Sequence, residues 1–258
     1  MKIWITEDET EPGRVVLKLN RPGKHNALTG SMVNQLQSQL EALSTRQDLW
    51  LLQLEGAGHW FCSGIDLNWM LQMGQADWSE NLKDAEALAS LLHRLWHFPC
   101  PTLCKVEGGA MGGGLGLVAC CDLVLATRNS LFTCGEVRLG LIPAVIAPYL
   151  LQKMTLNTLL QQVFTGQPFS AQTAQQTGLV SECYQDMNAL EQGIRQQTAA
   201  LRQSAPQVLR QCKQLICQLN PVTPALATGQ WLAEIRRSAS AREGISAFLE
   251  KRQPNWSN

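Results

Sequence analysis

Charge is scarce in this sequence. Of 258 residues only 16% are Asp, Glu, Lys or Arg, where about 25% is usual. The 21 basic and 21 acidic residues cancel to a formal net charge of zero. No bulk electrostatic pull toward nucleic acid or an anionic membrane follows, and neither is expected as a partner. No apolar run approaches the ~20 residues that span a bilayer. The first stretch, Met1 to Pro12, is polar and acidic and lacks the apolar segment of a signal peptide. Metal-ligand spacing is missing too. The 9 cysteines contain no CxxC pair, and His25, His59, His93 and His97 fall into no zinc pattern. His93 and His97 share a helix face, but no further ligand motif completes a site. Unpaired cysteines in odd number point to free buried thiols in a reducing compartment. A cytoplasmic protein without metal is the expectation.

What the chain does have is apolar pattern. At 45% apolar and this length it can build one large domain, or a core domain with a smaller appendage. Light charging also suits a chain that hides surface in an oligomer. Val15, Leu17 and Leu19 alternate as in a half-buried strand, which Arg21-Pro22-Gly23 ends. Met32, Leu36, Leu40 and Leu43 recur at helical spacing. Leu49 to Leu54 reads as a buried strand, Asp84 to His97 as a helix stopped by Pro99, and Thr102 to Val106 as a strand. Gly112-Gly113-Gly114 opens an apolar helix, Leu115 to Cys120. Asp122 to Ala126 and Leu131 to Cys134 read as strands. Ser170 and Gly178 bracket a short helix as N-cap and C′ residue. After Cys183 only helices follow, from Met187 to Arg252, broken at Pro206, Pro221 and Pro224. No low-complexity tract or long linker interrupts the chain. Strand–helix alternation predicts a largely parallel α/β core over residues 1–195. A helical oligomerisation region over 196–258 would follow it.

Three segments carry chemistry. The run Gly108 to Gly114 lets backbone approach a ligand closely, and its last amides start a helix, where N–H groups are unpaired. Such amides suit a developing oxyanion; a tight packing turn is the bland alternative. Phe61-Cys62-Ser63-Gly64-Ile65-Asp66-Leu67 follows a buried strand and offers a second amide, or is an ordinary strand-end loop. Glu136 precedes the apolar Gly140-Leu141-Ile142-Pro143. A carboxylate entering such a segment is a candidate acid/base, because burial raises its pKa. The plain alternative is a solvated glutamate paired with Arg138. Trp60, Trp69, Met70, Leu71, Met73 and Trp78 either line an acyl pocket or cover the core.

In this order and separation the segments resemble the enoyl-CoA hydratase/isomerase, or crotonase, superfamily. Asn20-Arg21-Pro22-Gly23-Lys24-His25-Asn26-Ala27-Leu28 resembles the segment that touches the CoA nucleotide, implicating Lys24, His25 and Ala27. Ser63, Gly64, Ile65, Asp66 and Leu67 resemble the segment giving the first oxyanion amide and backbone contacts to adenine. Gly112 and Gly113 resemble the stretch giving the second. Glu136 to Pro143 resembles the segment holding one of two catalytic glutamates. Thr165-Gly166, Gly178-Leu179-Val180 and Glu243 to Phe248 also fit, so the resemblance spans essentially the whole chain. It implies an α/β spiral of ββα units with a C-terminal helical region, assembled as a homotrimer or hexamer. The oxyanion amides would be those of Ile65 and Gly113. Phe248 and Lys251 would reach CoA in this or a neighbouring subunit. The substrate would be an acyl-CoA thioester, with no separate cofactor.

One departure stands out. Typical hydratases of the family carry a glutamate two residues past the glycine triplet, where this chain has Gly116. The segment Glu136 to Tyr149 looks most like bacterial methylglutaconyl-CoA hydratase-type proteins, a subgroup that can also lack that glutamate. The resemblance therefore implies an enoyl-CoA hydratase, acting on a 3-methylglutaconyl-CoA-like substrate in leucine or isoprenoid breakdown. A distal carboxylate of such a substrate would lie in the space Gly116 leaves. The alternatives are an isomerase with Glu136 as sole acid/base and a non-catalytic acyl-CoA-binding protein.

Overall fold

The computed structural model describes residues 2–7 and 11–257, so part of the polar segment Met1 to Pro12 lies outside the described residues. The first strands show why the chain folds as it does. In β2 (Arg14–Asn20) Val15, Leu17 and Leu19 are buried and the residues between them are not, the period of a strand with one face on a core. β1 (Lys2–Glu7) pairs antiparallel with it at the sheet edge. The chain then enters α1 (Gly30–Ser44), whose first turn is capped by Thr29 accepting from the Met32 amide.

The next turn runs from β3 (Leu51–Gly56) to α2 (Leu67–Gln75) and α3 (Trp78–Trp96), capped by Asp66 and Asp77 respectively. A third passes through β4 (Thr102–Val106), β5 (Gly109–Met111) and α4 (Gly113–Ala119). A fourth takes β6 (Leu123–Thr127) and β7 (Leu131–Thr133) to a 3-10 turn at Glu136–Leu139, then α5 (Ala147–Lys153) and α6 (Leu156–Thr165). β8 (Phe169–Ser170), α7 (Ala171–Gln176) and β9 (Glu182–Tyr184) follow. Each turn thus gives one strand to a six-stranded sheet, ordered β1-β2-β3-β4-β6-β9 and parallel except at β1. Its second extended piece goes to another layer, where β5 pairs with β7 and β7 with β8. Parallel bridges Leu28↔Ile65 and Cys62↔Ala110 extend that layer. This is the α/β spiral of ββα units that the resemblance implied. Side chains from both layers and from α1, α3 and α4 form one core.

Helices close the chain: α8 (Met187–Arg202), α9 (Pro206–Leu219), α10 (Ala225–Arg236) and α11 (Ala239–Leu249). The boundary expected after residue 195 falls inside α8, which packs on β6 and β9 of the main sheet. The break expected at Pro206 is present, since α8 ends at Arg202 and Pro206 opens α9, where its missing N–H costs nothing. A break that no proline marks separates α10 from α11, at Arg237-Ser238, where the Ser238 side chain caps α11. α9 is the odd member, since none of its residues is buried. Among the described residues no helix is long and apolar enough to cross a membrane.

Candidate active site

Gly112 holds a φ of +47° and donates its own amide to the Thr133 carbonyl at 3.1 Å. The chain turns there from β5 into α4, so Gly113 is the first helical residue and its amide has no carbonyl one turn back. Opposite it stands the second segment. Leu28 donates to Gly64 O at 2.7 Å and accepts from the Asp66 amide at 2.8 Å. That parallel pattern turns the Ile65 amide away from Leu28. Among the described residues neither the Ile65 nor the Gly113 amide donates to a protein acceptor. The two lie close together: a Cβ built on Gly64, whose φ is +94°, would sit 3.5 Å from Gly113 N and 2.8 Å from Met111 O. Only glycine fits there. A pair of adjacent, unpaired N–H groups can receive one carbonyl oxygen and hold it more tightly as it becomes an oxyanion.

Glu136 begins the 3-10 turn after β7. Its Oε1 lies 3.4 Å from where a Gly112 Cβ would be, which brings the carboxylate beside the two amides. The residue as a whole is half-buried, yet Oε2 is out of solvent contact and has no hydrogen-bond partner. Burial raises the pKa above the usual carboxylate range, against the pull of its own backbone and the Cys134 thiol. The same burial, with Glu136 beside it, pushes the Cys134 thiol up. Arg138 is no partner to Glu136; it is exposed and donates to Thr165 O at 3.2 Å.

The space expected beside Gly116 is not there. A Cβ on Gly116 would fall 2.5 Å from Ile146 Cγ2 and 3.2 Å from Leu92 Cδ1. Close packing against Ile146 fills the place, so a distal carboxylate of the substrate does not lodge in it, and this expectation is corrected.

The segments that the resemblance assigns to the CoA nucleotide also come together. Ser63 donates its amide to His25 O at 2.9 Å and its hydroxyl to Lys24 O at 3.3 Å. Asn26, fully buried, ties this loop to Ala57 O at 3.0 Å and Trp60 O at 2.6 Å. Arg21 bonds Ala27 O at 2.9 Å and pairs with Asp66 at 2.7 Å. Partial burial works against ionised Asp66, but the Arg21 guanidinium and the amides of α2 outweigh it and hold its carboxyl low. Lys24 and His25 are exposed, with the His25 ring 5.3 Å from that of Trp60. Leu67 starts α2 beside them. Pro143 accepts from the Ile146 and Ala147 amides and shapes the entry to α5. Phe248 and Lys251 stand apart: both are exposed, and among the described residues their backbones bond only within and at the end of α11, with no ion pair on Lys251. One turn earlier α11 does reach the site, because Gly244 lies hard against the Leu139 backbone.

Outside this region a cleft of about 790 Å³ separates the end of α3 from α9. Its cations are already engaged, Lys213 with Asp122 at 2.7 Å and Arg210 with Leu49 O at 2.5 Å. The His93 and His97 rings lie tilted against each other with centroids 4.2 Å apart. Among the described residues no three His, Cys, Asp or Glu side chains converge as a metal site.

The sequence profile of enoyl-CoA hydratase/isomerase matches residues 9–258. The chain belongs to that family. Among relatives of this enoyl-CoA hydratase/isomerase family member, a 2,3-dehydroadipyl-CoA hydratase of Escherichia coli (strain K12) is 33% identical, over 94% of each chain. An enoyl-CoA hydratase structure from Mycobacterium avium superposes with a TM-score of 0.85 at 29% identity, covering 98% of both chains. Another, from Shewanella pealeana ATCC 700345, gives 0.78 at 34%, over 98% of this chain and 95% of that one.

Sequence reasoning passed over Ile146, Asp84 and Arg236. Ile146 reads as an ordinary core residue until Gly116 is found beneath it. Near Asp84 the sequence did carry one signal: Asn81 continues the buried stripe of Ala85, Leu88 and Leu92, and a polar group at a core position calls for a partner, here Ala233 O of α10.

Proposed function

We propose that this protein is an enoyl-CoA hydratase-type enzyme working through the Ile65 and Gly113 amides and Glu136. One observation carries the reading: two adjacent unpaired amides beside a single sequestered carboxylate whose Oε2 lacks a partner. A thioester carbonyl on the two amides makes its β-carbon electrophilic. Glu136 takes a proton from water as the water oxygen bonds to the β-carbon, and the negative charge collects on the held oxygen. The proton then passes to the α-carbon, giving a 3-hydroxyacyl-CoA and restoring Glu136. Lys24, His25, Ala27 and the Ser63 to Leu67 segment carry the CoA nucleotide in this reading. Phe248 and Lys251 contribute only if a second subunit or a moved tail brings them in.

An acyl group with a distal carboxylate is the favoured substrate, of the 3-methylglutaconyl-CoA kind; the Escherichia coli relative is named for such a substrate. Assembly into trimers or hexamers, in a reducing cytoplasm and without metal, completes the reading. Ile146 over Gly116 also favours a second one. A site with one carboxylate and an apolar wall suits the transfer of a proton between two carbons, so double-bond isomerisation is the alternative.

Purified protein given crotonyl-, 3-methylglutaconyl-, 2,3-dehydroadipyl- and 3-enoyl-CoA decides between them. Water uptake with the dicarboxylic substrates favoured is expected. A shifted double bond without water would replace hydration by isomerisation, and binding without turnover would remove both.

A further inference from the structure

Ile65 directly precedes Asp66, the residue that caps α2. On the next turn Trp69 turns its ring over Gly30, so closely that a Cβ there would lie 2.6 Å from Trp69 Cζ2. The indole Nε1 donates to Asp84 Oδ1 on α3 at 3.0 Å. The other oxygen, Asp84 Oδ2, accepts from Arg236 of α10 at 2.7 Å. Arg236 is 1% exposed, so this guanidinium is held in the interior by one carboxylate and one only among the described residues. Its Nε is sequestered without a partner. Ile65, Trp69, Asp84 and Arg236 all border a cavity of about 10 Å³, no larger than one water molecule. The ion pair therefore stands directly behind Ile65. α10 adds a second restraint on α2, because Gly74 packs against Arg236 O, 2.6 Å from its would-be Cβ.

We propose that Asp84 is a positioning residue for the oxyanion amide: it holds α2 through Trp69 and α10 through Arg236, so the Ile65 amide is set correctly only when the C-terminal helices are docked. The inference rests on the reading that Ile65 and Gly113 receive a thioester carbonyl. A buried charge pair is weak evidence of stability by itself, because desolvating both charges offsets their attraction. Geometry is what it supplies. An amide displaced by a fraction of an ångström costs far more in the transition state than in substrate binding.

The test uses full-length protein and the carbonyl stretch of a bound enoyl-CoA thioester, read by difference infrared spectroscopy, alongside kcat, KM and thermal unfolding. In the wild type the stretch should move to lower frequency on binding. Trp69→Phe keeps a ring over Gly30 and loses the bond to Asp84. It should lower kcat about tenfold or more, leave KM within about twofold, and return the stretch toward its free value in protein that still unfolds cooperatively. Arg236→Met should do the same, and Arg236→Lys should restore much of both readouts. Should Trp69→Phe fail to fold, the Arg236 pair carries the test. A wild-type stretch that does not move removes the oxyanion reading, and this inference with it. A wild-type shift that all three variants retain, with activity changing only as the folded fraction changes, overturns the inference and leaves that reading intact.

Discussion

Gly116 of α4 and Ile146 at the start of α5 interlock, with the Ile146 Cγ2 in the place of a glycine side chain. That methyl is branched at the β-carbon and cannot swing aside without a change of χ1 in a packed core. Gly116→Glu should therefore destabilise the fold by at least ~2 kcal/mol, from overpacking and from a carboxylate without a partner. Ile146→Ala alone should cost about 2–5 kcal/mol as a cavity mutant. Together they should cost less than the sum, because the new side chain enters the new cavity. Urea unfolding of the three variants checks this; additive losses would mean that the two positions do not share space.

Glu136→Gln should lower kcat by about 10²–10⁴, the range for losing an acid/base group. Binding of a CoA thioester should survive. Stability gives an independent readout. Burial raises the folded-state pKa of Glu136 above its ordinary value of 4.5. Its contribution is fully present below that ordinary value and is lost as pH rises through the raised one. At neutral pH the Gln variant should thus be more stable than the wild type, and the difference should vanish in acid. Thermal unfolding from pH 4 to 8 measures it. A Gln variant less stable throughout would show that the carboxylate is favourably held.

The surface predicts association. Leu156, Leu160 and Phe164 of α6 repeat at four-residue spacing and are 61%, 40% and 73% exposed, while no residue of α9 is more than half-buried. Light scattering at micromolar protein should give a multiple of three times 28.5 kDa. Phe164→Asp should shift the population toward smaller species. A stable monomer in the wild type would count against trimer and hexamer alike.

Docking of α11 should matter to turnover. Gly244 meets the Leu139 backbone and Gly140 meets Ser240, both too closely for a side chain. Gly244→Ala should push α11 off the turn that carries Glu136. A loss in kcat of roughly tenfold or more is expected, with the Kd for CoA nearly unchanged. An equal loss in both would place the effect in the fold as a whole.

Much of this was legible in the sequence. The strand Thr102–Val106 and the helix bracketed by Ser170 and Gly178 are where pattern and caps place them, because local rules and core contacts agree there. β1 was not legible: Trp4 and Ile5 face solvent at a sheet edge, so Lys2–Glu7 has no one-sided apolar alternation to betray it. Glu136, Gly113 and Ile65 could be singled out as residues, but their proximity comes from three turns of the spiral meeting at the second layer. The plug over Gly116 stayed hidden for the opposite reason. An isoleucine 30 residues away in sequence says nothing of which glycine it covers.

The thiols lead to one last consequence. Six of the nine cysteines are buried, two are half-buried, and Cys212 alone is exposed. Burial pushes the Cys62 thiol up to about 12 and that of Cys100 up to about 11, so at neutral pH neither offers a thiolate to an electrophile. A thiol reagent added to the native protein should therefore mark Cys212 at once and the interior only as the chain opens. Counted by mass against time, the attached labels become a clock for excursions from the native state.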